Sequence, residues 1–412
     1  MSSKRHALTF VTITVFIDVI GFGIIMPVIP QLLMELTGEG AAYASRMGGY
    51  LLFVYAVLQL LFAPVLGNLS DRYGRRPLLL VSLAFYGVNY FLMGFADSLV
   101  LLFLGRVLTG ITGSTYAVAN ALIADVSPPD ERAQNFGLLG MAFGLGFIFG
   151  PTLGGFLGEW NTRAPFFAAG ILALCNVAYG YFALHETLPK NLRRPFDRAR
   201  ANPFGALARI QKYPVLLGLL LCLLLYNIAH HVYPTNWNFY TMQKFDWTPL
   251  DIGMSMGLVG ILMAIVQGGL IRLVIPKFGA PRTAMIGFGA AAIAYVGIAF
   301  APSGFVVYLW CGVSSLSGFV MPAVQSIMSN QVPADEQGEL QGIVASMASL
   351  GAIIGPLLIS QTFAYFISPS APVYFPGAAF LVAGALTLCA CGIFLGNLTK
   401  LMVAEVDAGA AS

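Results

Sequence analysis

Long apolar runs, broken at charged or Pro/Gly-rich positions, recur along the whole chain. A helix needs about 20 predominantly apolar residues to cross the hydrocarbon core of a bilayer. Of the 412 residues 58% are hydrophobic and 9% are charged, whereas soluble domains carry about 25% charged residues. The runs predict an all-α membrane protein with twelve spans, at roughly 7–30, 48–69, 77–96, 99–125, 135–158, 165–184, 214–237, 251–274, 283–301, 304–328, 339–366 and 373–395.

Lysine and arginine are distributed unevenly among the connections between these spans. Seventeen fall on one side, three on the other (Arg46, Arg163 and Lys244), and Arg106 remains inside the fourth span. Short cytoplasmic connections carry the excess of positive charge, so we expect both termini and the long 185–213 connection to be cytoplasmic. The first run is too long for a cleaved signal peptide, which predicts a retained helix in the cell's inner (plasma) membrane.

Composition and motifs disfavour several classes of function. The net charge of +3 is too small and too scattered for a nucleic-acid-binding surface. The five cysteines lie in apolar runs without metal-ligand spacing, so we expect no disulfides, no metal site and no cofactor. The sequence contains no GxxxxGK(S/T) phosphate-binding loop, so neither ATP coupling nor an enzymatic role is expected.

Three groups of residues recur at one offset of 205 positions. The pairs are Gly74 with Gly279, Asp130-Glu131 and Gly137 with Asp335-Glu336 and Gly342, and Gly150-Pro151 with Gly355-Pro356. The repeat predicts two six-helix bundles, residues 1–184 and 214–412, joined by a cytoplasmic linker at 185–213 and enclosing a central cavity. At this offset Asp18 corresponds to Leu223 and Arg106 to Cys311, so the second copy has lost its charges.

Four motifs resemble those of a transporter family. GNLSDRYGRRP (67–77) resembles the loop 2–3 signature of the major facilitator superfamily, while DVIGFGIIMPVIP (18–30), GRVLTGITG (105–113) and GFIFGPTLGG (146–155) resemble helix motifs of its TetA-like, tetracycline-resistance drug:proton antiporters. The resemblance implies the major facilitator fold and secondary active export of small amphipathic compounds or drugs in exchange for protons by alternating access. The tetracycline pumps carry further acids and a histidine where this chain has Asn89, Ala291 and Met263. We therefore expect a cargo other than metal-chelated tetracycline.

Two other functions are compatible with the same residues. One is uptake or uniport of a metabolite, and the other is a non-transporting membrane receptor that uses the cavity to sense a ligand. For the exporter we expect three kinds of partner, namely a small amphipathic substrate, protons and membrane lipid. We also expect it to act as a monomer, without a nucleic-acid partner.

Asp18 and Arg106 are the candidate proton-coupling residues. Asp18 is the only carboxylate well inside a span, where an ionised side chain costs about 2.5 to 3.5 kcal/mol or more. Arg106 does not deprotonate, so inside the fourth span it must find anions, carbonyl groups or water. The alternatives are a structural carboxyl that hydrogen-bonds to a broken first helix and a helix-packing cation that faces water.

One group of candidate gating residues lies at the predicted cytoplasmic ends of spans two and four. These residues are Gly67, Asp71, Arg72, Arg75 and Asp125. The resemblance implies that Asp71 meets the start of the eleventh helix when this side is closed, because a helix N-terminus favours a carboxylate. The alternative is ordinary solvation of a loop with positive charges that anchor it on the cytoplasmic side.

A second group of candidate gating residues lies in the fifth span. Gly146, Gly150 and Gly154 are spaced by four residues and share a face that permits close helix approach. Pro151 removes a backbone donor and can bend the helix. We expect Gly146, Gly150 and Pro151 to form a hinge or seal between the halves, with ordinary helix packing as the alternative.

The candidate substrate contacts lie mainly in the seventh span. Tyr226, His230, Tyr233 and Trp237 are spaced by four, three and four residues and so share one helical face. This face is either an aromatic and polar binding wall or an interfacial belt at the outer membrane surface. Weaker candidates, each of which could instead form an interhelical hydrogen bond, are Gln59, Asn120, Gln267 and Gln325.

Overall fold

The computed structural model describes residues 2–113, 115–127, 131–197, 202, 205, 216–333 and 336–410. The first half contains the helices α1 (Ser2–Ile24), α2 (Ile29–Thr37), α3 (Ala41–Tyr73), α4 (Arg75–Gly94), α5 (Leu99–Thr112), α6 (Thr115–Val126), α7 (Arg132–Trp160) and α8 (Ala164–Ala183). A short 3-10 helix, Met26–Val28, separates α1 from α2. Pro27 lies in this helix and has no amide hydrogen to continue the α-helical pattern, which explains the break.

The second half contains a similar set of helices. They are α9 (Leu217–His230), α10 (Val232–Phe245), α11 (Pro249–Ile265), α12 (Ile271–Phe300), α13 (Gly304–Ser315), α14 (Val320–Ser329), α15 (Gln337–Phe366) and α16 (Ala378–Ala410). A five-residue π-helix, Val266–Leu270, joins α11 to α12. A 3-10 helix, Leu316–Phe319, joins α13 to α14.

The described helices confirm the prediction of twelve spans. Ten helical stretches are long and apolar enough to cross a membrane. One of them, Pro249–Phe300, is 52 residues long and holds two predicted spans, because Gly279 interrupts it with a non-helical backbone (φ 75, ψ 160). The fourth span adds α5 followed by α6, which are separated at Gly113.

The backbone itself carries the repeat that the sequence predicts. Gly74 (φ 109, ψ 156) breaks the chain between α3 and α4, just as Gly279 breaks it 205 positions later. Positive φ values of this kind are accessible to glycine and strained for other residues. Two loops in equivalent places thus require glycine for the same reason.

Residue contacts divide the chain into two compact units. The first comprises Met1–Pro203 with Asp246–Gly260, and the second comprises Phe204–Phe245 with Ile261–Ser412. The sequence-based boundaries placed 246–260 in the second half, whereas the structure packs this part of α11 on α7. Close approach explains the grouping, because a Cβ on Gly253 would lie 2.3 Å from the carbonyl oxygen of Pro151.

Each unit has its own helix packing. In the first unit α1 packs against α7 and α8, α4 packs against α8, and α3 packs against α5. In the second unit α9 packs against α15 and α16, while α12 packs against α16. The buried core of the first unit includes Phe10, Leu83 and Leu122, and that of the second includes Leu219, Phe288 and Phe394.

Candidate functional site

Asp18 and Arg106 lie in one polar centre of the first unit. Asp18 is half-buried on α1, and Arg106 on α5 is 8% exposed. Within the described residues no hydrogen bond or ion pair joins the two side chains directly. Both lie near a group of tyrosines that the sequence analysis did not predict.

Three tyrosines from α3 and α4 lie within electrostatic range of both Asp18 and Arg106: Tyr55, Tyr86 and Tyr90. The Tyr55 and Tyr86 side chains are also within electrostatic range of each other. Tyr90 lies against α1, since a Cβ on Gly21 would be 3.5 Å from its hydroxyl oxygen. The spacing of Tyr86 and Tyr90 by four residues, which places them on one helical face, is the sequence signal that could have identified them.

Gln59 belongs to this polar centre. Its Nε2 donates hydrogen bonds to the Tyr55 hydroxyl at 2.9 Å and to the Gly113 carbonyl at 3.1 Å. Gly113 is the residue at which the fourth span is interrupted, so its carbonyl is free of the regular helical pattern. The structure therefore connects Gln59 to the surroundings of Asp18 and Arg106.

The gating candidates at the end of α3 form a compact ionic cluster. Arg75 Nη1 lies 2.6 Å from Asp71 Oδ1, and Arg75 Nε lies 3.1 Å from Asp125 Oδ2. Arg75 Nη1 also donates to Ser70 Oγ, whose own hydroxyl donates to the Gly67 carbonyl at 2.6 Å. We call Asp71, Arg75 and Asp125 the ionic cluster.

Arg72 stands apart from the ionic cluster. It is exposed, and its guanidinium lies 5.1 Å from the centre of the Tyr73 ring. This arrangement is a cation–π contact at the surface. Of the five residues predicted for this end of the unit, the structure thus brings together three, connects Gly67 to them through Ser70, and leaves Arg72 outside.

The glycine face of α7 packs against α1 inside the first unit. A Cβ on Gly146 would lie 2.7 Å from Val19 Cβ, and a Cβ on Gly150 would lie 2.9 Å from the Ile20 carbonyl oxygen. Pro151 presents its carbonyl to Gly253 of α11, on another side of the same helix. The glycines therefore serve the close approach of α1, next to Asp18.

The predicted aromatic face of the seventh span is the centre of an aromatic cluster in the second unit. The Tyr226 ring stacks on His230 at 5.8 Å, His230 contacts Tyr233 at 5.5 Å, and Tyr233 contacts Trp237 at 5.7 Å. Tyr226 and Trp237 are 6% and 2% exposed, so they do not form an interfacial belt. We call these four residues with Tyr295 the aromatic cluster.

Polar atoms of the aromatic cluster differ in their partners. Tyr226 donates to the Ser317 carbonyl at 3.0 Å, and the Tyr233 hydroxyl is hydrogen-bonded to Ser314 Oγ. Among the described residues, the Tyr295 hydroxyl and His230 Nδ1 are buried without a hydrogen-bond partner. Buried polar atoms without partners are uncommon and call for an explanation.

Packing corrects one correspondence between the two halves. Gly150 lies against Ile20 and Gly23, while its counterpart Gly355 lies against Ile228 and His231. Ile228 therefore matches Ile20, and His231 matches Gly23, at an offset of 208 positions. The seventh span is thus shifted by three residues relative to the offset of 205. The counterpart of Asp18 is therefore Tyr226, not Leu223, and an aromatic hydroxyl replaces the carboxylate.

The remaining substrate candidates are dispersed. Gln267 lies in the π-helix, where its Nε2 would be 3.3 Å from a Cβ on Gly318. Gln325 on α14 and Asn120 on α6 are half-buried. None of these three belongs to the aromatic cluster.

The residues that depart from the tetracycline-pump pattern fall in different places. Met263 Sδ lies 3.3 Å from the same Cβ position on Gly318. Asn89 is 3% exposed, and within the described residues its amide atoms have no hydrogen-bond partner. Ala291 is fully buried on α12.

Comparisons with known proteins agree with this architecture. The sequence profile of the Major Facilitator Superfamily matches residues 11–356 and 277–400. The chain is 37% identical over 385 residues to the class C tetracycline resistance protein of Escherichia coli, covering 93% of this chain and 95% of that protein. It is 28% identical over 392 residues to multidrug resistance protein 1 of Bacillus subtilis, covering 94% and 97%.

A solved structure shows the same fold at much lower sequence identity. The nucleoside transporter NupG superposes with a TM-score of 0.77 at 12% identity, covering 97% of this chain and 99% of NupG. This likeness supports the fold alone. Taken with the family profile and the relatives above, it identifies the chain as a multi-pass membrane transport protein, not an enzyme, that belongs to the major facilitator superfamily.

Proposed function

We propose that this protein exports small amphipathic compounds or drugs in exchange for protons, by alternating access of its two halves. The observation that carries the proposal is the polar centre around Asp18. Asp18 is held inside a span without an ion pair among the described residues, so it can change its protonation without breaking a salt bridge. The printed names of the relatives, tetracycline resistance and multidrug resistance, support drugs as the cargo.

Arg106 and the three tyrosines have a defined part in this proposal. Arg106 keeps a fixed positive charge in the first unit. The hydroxyls of Tyr55, Tyr86 and Tyr90 interact electrostatically with both Arg106 and Asp18. Hydroxyl groups both donate and accept hydrogen bonds. They can therefore adjust their dipoles to either charge state of Asp18 without gaining or losing a charge of their own.

We assign the change of access to the ionic cluster and to α7. Asp71, Arg75 and Asp125 form ion pairs at 2.6 and 3.1 Å, and we propose that these pairs break and re-form as access changes. The glycines of α7 bring it into backbone contact with α1, which carries Asp18. A change in the protonation of Asp18 can thus alter the packing of α1 on Gly146 and Gly150.

We assign cargo binding to the aromatic cluster. Its ring faces suit planar amphipathic compounds that are neutral or weakly cationic, through stacking and cation–π contacts. The buried Tyr295 hydroxyl and His230 Nδ1 offer hydrogen bonds that the described protein groups do not use. Because Asn89, Ala291 and Met263 carry no ionisable group that could hold a metal chelate, we propose that metal-chelated tetracycline is not the preferred cargo.

The proposed topology follows from the distribution of basic residues along the sequence. We propose that both termini and the 185–213 linker are cytoplasmic, since seventeen of the basic residues fall on that side. We further propose that the protein works as a monomer surrounded by membrane lipid. Accessibility of single cysteines to a membrane-impermeant label from each side would test this topology.

Coupling is tested most simply by the movement of protons. Purified protein is reconstituted into vesicles that contain a pH-sensitive dye, and a lipophilic cationic drug is added without an imposed gradient. Antiport predicts that drug movement in one direction drives protons in the other, with no signal in protein-free vesicles. Proton movement in the same direction as the drug would show symport, and drug movement without protons would show uniport.

A further inference from the structure

The chain after α8 stays with the first unit and crosses the end of α3 and the start of α4. Glu186 Oε1 accepts hydrogen bonds from the amides of Arg75 at 2.9 Å and of Thr187 and Leu188 at 3.0 Å each. Arg75 is the first residue of α4, and Gly74 before it has no side chain to cap the helix. Glu186 therefore supplies the capping carboxylate from a distant part of the sequence, where the helix dipole favours negative charge.

Gly74 makes this contact possible. A Cβ at this position would lie 2.1 Å from Glu186 Oε2 and 2.9 Å from Arg193 Nη2. The same carboxylate oxygen lies 3.5 Å from Arg193 Nη2, and both side chains are about a quarter exposed (26% each). Gly74 is thus needed for two reasons: it adopts a positive φ, and its lack of a side chain leaves room for the Glu186 carboxylate.

A second contact holds the chain further along. Asn68 Nδ2 donates to the Asp197 carbonyl at 2.5 Å, and Asn68 Oδ1 accepts from the Asp197 amide at 3.3 Å. Between the two contacts, the Arg194 amide donates to the Asp71 carbonyl at 3.1 Å. Asn68 is 7% exposed and pairs with both backbone groups of one residue, as a neighbouring strand would.

We propose that residues 186–197, which we call the strap, position the ionic cluster through two anchors, Glu186 and Asn68. Glu186 holds the start of α4, from which Arg75 reaches Asp71 and Asp125. Asn68 holds the far end of the strap at Asp197, so the strap is the first part of the linker predicted at 185–213. The strap thus fixes the start of α4 and the end of α3 relative to each other, and both anchors are positioning residues for the conformational switch.

The anchoring is tested by hydrogen–deuterium exchange on the full-length protein in lipid nanodiscs. Asn68→Leu keeps the volume of the side chain and removes both hydrogen bonds, so exchange of the peptide that contains Asp197 should rise about 3- to 10-fold, the equivalent of a net hydrogen bond. Asn191→Leu is the matched control, because Asn191 is exposed within the strap. Unchanged exchange in Asn68→Leu, or an equal rise in the control, would overturn the anchor.

The positioning role is tested by transport kinetics. This test rests on the proposed transport function, whereas the hydrogen–deuterium exchange test of the anchor is independent of it. Asn68→Leu should lower the turnover of gradient-driven export by about 3- to 10-fold with an unchanged KM. Asn68→Asp, which keeps an acceptor oxygen and loses the amide donor, should give an intermediate turnover and also serves if the leucine variant inserts poorly. Normal turnover in an Asn68 variant whose exchange is raised would overturn the positioning role.

Discussion

Tyr295 places a hydroxyl in the core of the second unit without a hydrogen-bond partner among the described residues. Tyr226, in the same aromatic cluster, donates its hydroxyl to the Ser317 carbonyl at 3.0 Å. Removing a hydroxyl that has no partner removes a desolvation cost, whereas removing one that is hydrogen-bonded leaves a carbonyl unsatisfied. Substituting the two tyrosines one at a time therefore distinguishes an effect on drug binding from an effect on protein stability.

We predict that Tyr295→Phe keeps or raises the melting temperature and weakens binding of a hydrogen-bonding drug. Tyr226→Phe should lose about 1 to 3 kcal/mol of stability, the cost of leaving the buried Ser317 carbonyl without its partner. Thermal unfolding in detergent and equilibrium binding of a fluorescent drug give both quantities. A strong loss of stability in Tyr295→Phe with unaltered binding would contradict the assignment of this hydroxyl to cargo.

The polar centre of the first unit predicts a second effect at the residue scale. The Tyr55 hydroxyl accepts from Gln59 and lies within electrostatic range of Tyr86, Asp18 and Arg106. Tyr55→Phe should therefore lower gradient-driven export about 3- to 10-fold while expression stays normal. Tyr50→Phe on the same helix is the control, since Tyr50 is 39% exposed. Equal export by the two variants would exclude Tyr55 from coupling.

Some of this centre could be predicted from the sequence and some could not. Asp18 and Arg106 stand out because a charge in an apolar run is costly and rare. Tyrosine is common in membrane spans, so Tyr55, Tyr86 and Tyr90 carry no such signal by themselves. Their convergence on Asp18 depends on how α3 and α4 pack near α1, which hydropathy does not encode.

At the scale of helices, the contact between α1 and α7 depends on glycines in backbone contact. A Cβ on Gly154 would lie 2.0 Å from the Ile24 carbonyl oxygen, whereas a Cβ on Gly144 would meet no atom within 4 Å. Gly154→Ala must separate the two helices and should destabilise the protein by about 1 to 3 kcal/mol, the usual cost of overpacking. Gly144→Ala should be neutral in the same melting experiment. Equal melting temperatures would contradict the close contact.

The glycine spacing in α7 is readable from sequence, but the partner of that face is not. The sequence led us to expect Gly146, Gly150 and Pro151 to lie between the predicted halves. The structure places Gly146 and Gly150 against α1, whereas Pro151 contacts Gly253 of α11, which the sequence assigned to the second half. The offset of 205 likewise holds for Gly74 with Gly279 and fails by three residues between α1 and α9. No motif is shared by those two helices, so only their packing against α7 and α15 reveals the shift.

At the scale of the whole molecule, hydropathy predicts the twelve spans correctly because the bilayer demands helices of a set length with satisfied backbone groups. The strap and the grouping of 246–260 with the first unit were not predicted. The side chains of Glu186 and Asn68 anchor the strap on backbone atoms of Arg75 and Asp197, which any residue possesses. Contacts of that kind leave no pattern in a single sequence.

The central claim is that Asp18 couples export to protons. The most direct measurement is accumulation of a lipophilic cationic dye in inverted membrane vesicles under an imposed proton gradient, comparing wild type with Asp18→Asn. Asp97→Asn is the matched control, since Asp97 is exposed between α4 and α5. We predict that Asp18→Asn abolishes gradient-driven accumulation while dye exchange without a gradient persists, and that Asp97→Asn behaves as wild type. Undiminished gradient-driven accumulation by Asp18→Asn would contradict the claim.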